Sequence, residues 1–437
     1  MKAKVIGMVT AVLLAAGAAQ AAEEPYVVSW VRHLGTTAPD AVGGLTVDLL
    51  GNVYIAGQTQ GTLGGPNAGE TDAFLGKYDA SGNLLWTRQL GTSADDEARG
   101  VAADAFGNAY ITGNTFGSLG GPNSGTRDAF VGKYDASGNL LWTRQLGTSA
   151  DDVSHGVGVD KLGNVYITGD TTGDLCGPNA GSGDAFVRKY DASGNTLWTR
   201  QFGTSSVEAP SGISVDPLGN AYITGTTGGA LGGPNAGGLD AFLVKCDSSG
   251  NVLWTRQLGT LGTEFGDGVS VDSLGNVYIT GRTSGNLGGP NAGSSDAFLG
   301  KYNTSGNVLW TRQLGTSGND VSHGVAVDEL GNIYIAGDTS GSLGGPNAGS
   351  SDAFLIKYDT SGNVLWTRQL GTSAPDWATA VALDSLGSAY IAGQTDGNLG
   401  GPNAGGYDAF LVKYVVPEPA TLSLLALGGL ALLKGRR

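Results

Sequence analysis

The chain has 437 residues, of which 77 are glycine, 14% are charged and 40% are hydrophobic. Glycine is far above its usual share of roughly 7%, yet it follows no every-third-residue pattern, which excludes collagen. The supply of Val, Ile, Leu and Trp excludes a disordered chain, and the scarcity of charge excludes a coiled coil. With 24 basic and 39 acidic residues the net charge is −15, which makes nucleic acid a poor partner, because a phosphate backbone is bound through Lys and Arg contacts.

The chain opens with Lys2 and Lys4, an apolar run from Val5 to Ala19, and Ala19-Gln20-Ala21. This is the layout of a secretory signal peptide over residues 1–21, cleaved after Ala21, so an exported protein is expected. Two cysteines, Cys176 in a loop and Cys246 in a strand, are too few for a disulfide framework.

From residue 22 to residue 414 one motif recurs. Tryptophan falls at 30, 86, 142, 198, 254, 310 and 366, always 56 apart, and Trp377 alone stands outside the series. A fixed period of this length marks a repeat architecture in which each copy is one supersecondary unit. In the copy around residue 100, four short β segments are predicted, at 100–104, 108–113, 128–134 and 139–146. The first two are joined by Asp104-Ala105-Phe106-Gly107-Asn108 and the last two by Asp135-Ala136-Ser137-Gly138-Asn139. Asp opening a turn that ends Gly-Asn is hairpin chemistry, since Asp bonds the backbone two residues on and Gly accepts positive φ. Four antiparallel strands in about fifty residues make a propeller blade.

Counting the strands by type predicts how the ring closes. The first three types occur seven times, ending with 380–384, 388–393 and 408–414. The Trp-bearing fourth type also occurs seven times, but its first copy, 26–34, precedes all the others. The expected fold is therefore an all-β, seven-bladed propeller with four-stranded blades, in which the N-terminal strand completes the last blade and removes the free edges.

The repeat resembles the bacterial SBBP-type β-propeller repeat over residues 26–414. The resemblance rests on Asp-x-Leu-Gly-Asn-x-Tyr-Ile-Thr-Gly at 160–169, Asp-Ala-Phe-x-x-Lys-Tyr-Asp at 184–191 and Gly-Asn-x-Leu-Trp-Thr-Arg-Gln-Leu-Gly at 250–259. It implies a propeller at a bacterial surface or outside the cell and carries over no catalytic residues. Residues 415–437, with Pro417-Glu418-Pro419, the apolar run 420–433 and a final Arg pair, resemble the PEP-CTERM sorting signal of Gram-negative, exopolysaccharide-producing bacteria. That resemblance implies a transient inner-membrane contact and an exosortase partner that processes the tail. It places the protein at the outer cell surface or outside the cell.

In such a blade the tight hairpins lie at one end of the ring, and the second-to-third loops and the interblade links lie at the other. The hairpins barely change between copies while the links vary, so the link end is expected to be the working face. One acidic residue recurs in the links: Asp40, Asp96, Asp152, Glu208, Glu264, Asp320 and Asp376. Each could cap its turn or pair with a neighbouring blade. Alternatively, the seven could ring the channel mouth and bind a hard cation such as calcium. The hairpin aspartates, Asp48 and its equivalents, are explained by turn geometry. The recurring Lys77 and Arg88, each with six equivalents, are expected to partner these acids between strands or blades.

Variable positions supply the candidate ligand-binding set: Arg99, His155 and His323 at one shared position, Phe265 and Trp377 at another, and Arg282 just after a second strand. Imidazole and guanidinium groups supply polar contacts, and an exposed aromatic can stack on a sugar or anchor a partner. No nucleophile motif, phosphate-binding loop or dinucleotide fingerprint occurs. The expectation is a non-catalytic binding or matrix module for extracellular polysaccharide or a surface protein. The alternative is a propeller enzyme acting on extracellular polysaccharide.

Overall fold

Each 56-residue copy alternates runs rich in Val, Ile, Tyr and Phe with Asp-x-x-Gly-Asn turns, and this pattern folds as four antiparallel strands. In the first hairpin Asp48 Oδ1 accepts hydrogen bonds from the backbone N–H of Leu50 and of Asn52, both at 2.9 Å. Gly51 supplies the φ of +80° that closes the turn, a value that L side chains rarely adopt.

The computed structural model describes residues 26–416. The predicted signal peptide and all but the first two residues of the predicted tail lie outside the described residues. Among the described residues no helix is long and apolar enough to cross a membrane.

Seven four-stranded antiparallel sheets form the ring. In the first blade the strands are Asp40–Val47, Val53–Thr59, Asp72–Tyr78 and Leu84–Leu90, from the innermost outwards. The seventh blade combines Asp376–Leu383, Ala389–Thr395 and Asp408–Val415 with Val27–Leu34 as its outer strand, the expected closure by the N-terminus. That outer strand runs antiparallel to the third, with Val31 opposite Val412 and Leu34 opposite Ala409.

One boundary differs from the sequence expectation. The innermost strand of the second blade starts at Asp96, not at residue 100, and ends at Ala103. Pairing continues past Gly113 to Thr115 because the register shifts between Ala98 and Gly100. An alternation pattern interrupted by a bulge hides this extension. The recurrent link acid therefore opens the innermost strand instead of preceding it.

The hydrophobic core lies between blades. Tyr54, Ala56 and Leu75 of the first blade pack with Ile111, Phe130 and Tyr134 of the second. Ile55 and Phe74 of the first blade likewise meet Tyr390 and Leu411 of the seventh, so the closing junction is built like the others.

Polar staples cross the same junctions at the hairpin end. Tyr54 Oη donates to Gly107 O at 2.9 Å, Lys77 Nζ to Ala136 O at 3.1 Å, and Arg88 Nε to Gly138 O at 2.7 Å. The repeated Lys and Arg thus work between blades, but chiefly on hairpin carbonyls. Lys189 with Asp160 at 3.7 Å and Lys413 with Asp384 at 3.6 Å are ion pairs in the Lys column. Cys176 is exposed and Cys246 is buried.

Closure by residues 27–34 carries a prediction. A chain starting at residue 36 loses Trp30, the Arg32 staple to Gly82 O and the partner of strand 408–415. Its unfolding midpoint should drop by on the order of 10 °C, with a broader transition by circular dichroism. A melt as sharp and as high as that of the parent would overturn the closure.

Candidate functional site

At the link end each innermost strand begins with the recurrent acid, and the seven carboxylate residues form a buried ring with 0% exposure. Asp96 shows the local logic. Its Oδ2 accepts hydrogen bonds from Thr92 N at 2.5 Å and Thr92 Oγ1 at 2.9 Å, and its own backbone N–H donates to Thr71 O of the preceding blade at 2.8 Å. Glu208 and Glu264 reach further, each accepting a hydroxyl from the threonine that ends its second strand, Thr227 at 2.7 Å and Thr283 at 2.6 Å. Asp320 and Asp376 accept equivalent bonds from Thr339 and Thr395.

A second acidic column, not recognised as a partner from the sequence, completes each junction. Asp72 opens the third strand, is 1% exposed, and accepts from Ala68 N at 2.8 Å and from Gln89 Nε2 at 2.9 Å. Its carboxylate lies beside Gly91, where a side chain would collide with it. Burial raises Asp96 above the ordinary carboxylate range, and the charge of Asp72 adds to the effect. Asp40, Asp152 and Asp376 are raised in the same way. The signal was available in the sequence: an Asp after every Gly-Pro-Asn loop, in all seven copies. At the closing junction His33 replaces the glutamine, and its Nε2 lies 2.6 Å from Asp408 Oδ2.

Each carboxylate thus has local donors, and among the described residues no group of three or more His, Cys, Asp or Glu could hold a metal ion. Calcium takes six to eight oxygens, whereas each junction brings two carboxylates together.

The candidate ligand-binding residues lie on the same end, in the first half of the innermost strands and at the ends of the second strands, around the channel mouth. The structure gathers them into two groups and leaves one apart. Arg99 and His155 touch across adjacent blades, with 3.5 Å between Nη1 and Nδ1. Arg99 also donates to Asn114 Oδ1 at 3.0 Å and pairs with Glu97 at 3.0 Å, while His155 Nε2 lies 2.7 Å from Asp170 Oδ1. Four of these groups, Arg99, Glu97, His155 and Asp170, remain about a quarter to a third exposed, whereas Asn114 is buried.

Across the ring, Arg282 stacks on Phe265, with its guanidinium carbon 4.1 Å from the ring centroid. His323 Nε2 is 3.0 Å from Asp338 Oδ1, and Ser351 Oγ donates to Asp338 Oδ2 at 3.1 Å. Burial raises Asp267 above the usual carboxylate range, against the pull of His323 and Arg282. Burial disfavours the charged form of His323, but its bond to Asp338 and the charges of Asp267 and Asp338 outweigh that, so it is raised. Ser351 was missed because its partner lies across a loop. Trp377 stands apart in the seventh blade, half-buried opposite Gln394.

Comparison with known proteins agrees with this architecture. Residues 29–65, 85–120, 141–175, 197–233, 253–288, 309–344 and 365–400 match the family model of the SBBP beta-propeller repeat. Residues 415–437 match the PEP-CTERM protein-sorting motif. The chain is 27% identical over 380 residues to Regulatory protein FlaEY of Caulobacter vibrioides, which covers 75% of this chain and 39% of that protein. It is 24% identical over 434 residues to an uncharacterized WD repeat-containing protein of Acanthamoeba polyphaga mimivirus, covering 75% and 31%. The chain thus spans well under half the length of these curated relatives. Among solved structures, the WD40 beta propeller domain of Doa1 aligns with a TM-score of 0.53 at 10% identity, over 90% of this chain and 98% of that one. Puromycin hydrolase aligns with a TM-score of 0.50 at 12% identity, over 86% and 52%. Both are likenesses of fold.

The junction chemistry sets the pH dependence. Asp40, Asp96, Asp152 and Asp376 titrate higher folded than their unfolded value of 3.8, so the folded state binds these protons more tightly. Their stabilising contribution is complete below pH 3.8 and is lost as pH rises through the folded-state values. The turn carboxylates Asp79 and Asp135, held low by bonds from Asn83 and Asn139, act oppositely and lose their contribution only below 3.8. The unfolding midpoint should therefore be higher near pH 4.5 than at pH 8, and Asp96→Asn should flatten the slope. A midpoint that climbs steadily from pH 4.5 to pH 8 would contradict this assignment. Millimolar calcium should leave the midpoint unchanged at pH 7.5; a rise reversed by a chelator would restore the cation reading of the acidic ring.

Proposed function

This chain belongs to the SBBP family of β-propeller repeat proteins, and from that premise we propose that it is a non-catalytic binding module for extracellular polysaccharide at the bacterial surface. Its PEP-CTERM motif marks it for export, with membrane anchoring before exosortase processing at the C-terminus in a Gram-negative bacterium. One observation carries the reading. Arg99, His155, Phe265, Arg282, His323 and Trp377 stand at positions that vary among the copies, and all lie at the link end of the ring, in the innermost strands or at the end of a second strand.

Aromatic faces suit the apolar side of a sugar ring, and arginine suits its carboxylate. On an acidic molecule, Arg99 and Arg282 supply local positive charge outside the repeated arginine column, whose members bond hairpin carbonyls. A uronic-acid-containing oligosaccharide fits this set better than a neutral one.

A second reading has its own support in the cluster of Asp267, His323 and Asp338. A carboxyl raised by burial beside an imidazole is the pattern from which general acid–base catalysis is built, so a polysaccharide-acting enzyme would use Asp267 as its acid.

The test is binding on a glycan array, followed by calorimetry with an acidic hexasaccharide. Replacing Phe265 and Trp377 by alanine should weaken binding by about tenfold or more with a small change in melting. Unchanged binding would overturn the assignment of the face. Product release from the same hexasaccharide, abolished by Asp267→Asn, would favour the enzyme.

A further inference from the structure

The hairpin end carries a second feature that the repeat pattern alone does not explain. The third residue of each first-to-second-strand hairpin is a large apolar one: Leu50, Phe106, Leu162, Leu218, Leu274, Leu330 and Leu386. These seven are between 77% and 89% exposed. They are not needed for the turn, whose bonds come from the aspartate and the backbone. Neighbouring tips share depressions: Leu49, Leu330 and Leu386 line one, and Leu218 and Leu274 another. Six of the seven outer strands also begin near this end with a half-exposed aliphatic pair, such as Leu84 and Leu85; the third blade has Thr196 and Leu197 there. A soluble surface rarely spends so many large apolar groups on one end without a partner.

The exit of the chain identifies the partner. Strand Asp408–Val415 runs from the link end to the hairpin end, so the described chain leaves the ring at Val416 beside these tips. Only residues 417–419 separate Val416 from the apolar run 420–433. Four steps of extended chain span at most about 14 Å. A tail held in a membrane therefore draws this end of the propeller towards the bilayer. We propose that the seven apolar hairpin tips are a membrane-seating surface, which inserts into the interfacial zone of the bilayer while the tail is uncleaved.

The charge at this end selects the lipid. The third-to-fourth hairpins expose Asp79, Asp135, Asp191, Asp247 and Asp359, which repel an anionic surface, so the seat suits zwitterionic headgroups. A ring of tips with one tether among them would orient the link end away from the membrane, towards ligands.

The experiment uses the full chain with Cys176→Ser and one added cysteine, either Leu218→Cys at a tip or Ser294→Cys at the link end, labelled with nitrobenzoxadiazole. Cys246 stays unlabelled, because burial pushes its thiol up to about 12. In phosphatidylcholine vesicles with which the chain co-floats, the label at 218 should shift to the blue and be quenched by spin-labelled lipid, and the label at 294 should remain water-like. Adding Leu162→Ser, Leu274→Ser and Leu330→Ser should at least halve the shift at 218. A water-like label at 218 on floating vesicles, or failure of the chain to float, would overturn the proposal. Shielding at 218 that follows protein concentration without lipid would also overturn it, because a second copy would then be the occupant.

Discussion

No blade owns its core. The buried Tyr, Ile, Phe and Leu of one sheet find their packing partners on the next, so a single copy would leave these apolar faces in water. Everything else follows from that constraint. The repeats must come in a closed series, the period must hold at 56 so that each face meets an identical one, and the last interface must be as good as the others. Lending the N-terminal strand to the seventh blade ties the first and last parts of the chain into one sheet, and the interface of the seventh blade with the first repeats the contacts found elsewhere. The staples from Tyr54, Lys77 and Arg88 to the next hairpin follow the same logic, since they satisfy backbone carbonyls where one blade meets another.

The two ends of the ring divide the work. At the hairpin end Asp, Gly and Asn are fixed by turn geometry and vary little. At the link end the backbone must step from one blade to the next, and the buried carboxylates beside Gly91 and Thr92 and their equivalents hold that step. Once these groups secure the link, the neighbouring positions facing the channel are free to differ. That is where Arg99, His155, Phe265, Arg282, His323 and Trp377 stand. The sequence can diverge there because the bonds that hold the link are made by neighbouring residues.

The buried acids also show why a column of like residues is ambiguous. Seven carboxylates in register suggest a cation ring when only the sequence is read. In the fold each turns into its own junction and accepts threonine and backbone donors, with a second aspartate near it. Burial and mutual repulsion favour protons over charges at such a pair.

The sequence by itself determined the strand count, the turn chemistry, the number of blades and the exchange of the N-terminal strand, because these depend on period and local propensity. Trp30 preceding the first complete copy was enough to predict the closure. It also separated repeated from unique residues, which located the candidate face. Only the tertiary structure decided which residues meet. Arg99 reaching His155, Arg282 lying on Phe265, Ser351 bonded to Asp338 and Asp72 beside Asp96 all depend on how sheets approach across a junction, and no spacing along one strand encodes that distance. The extra four residues of each innermost strand were hidden for a related reason: a bulge breaks the two-residue alternation, and its pairing is fixed by the neighbouring strand rather than by its own side chains.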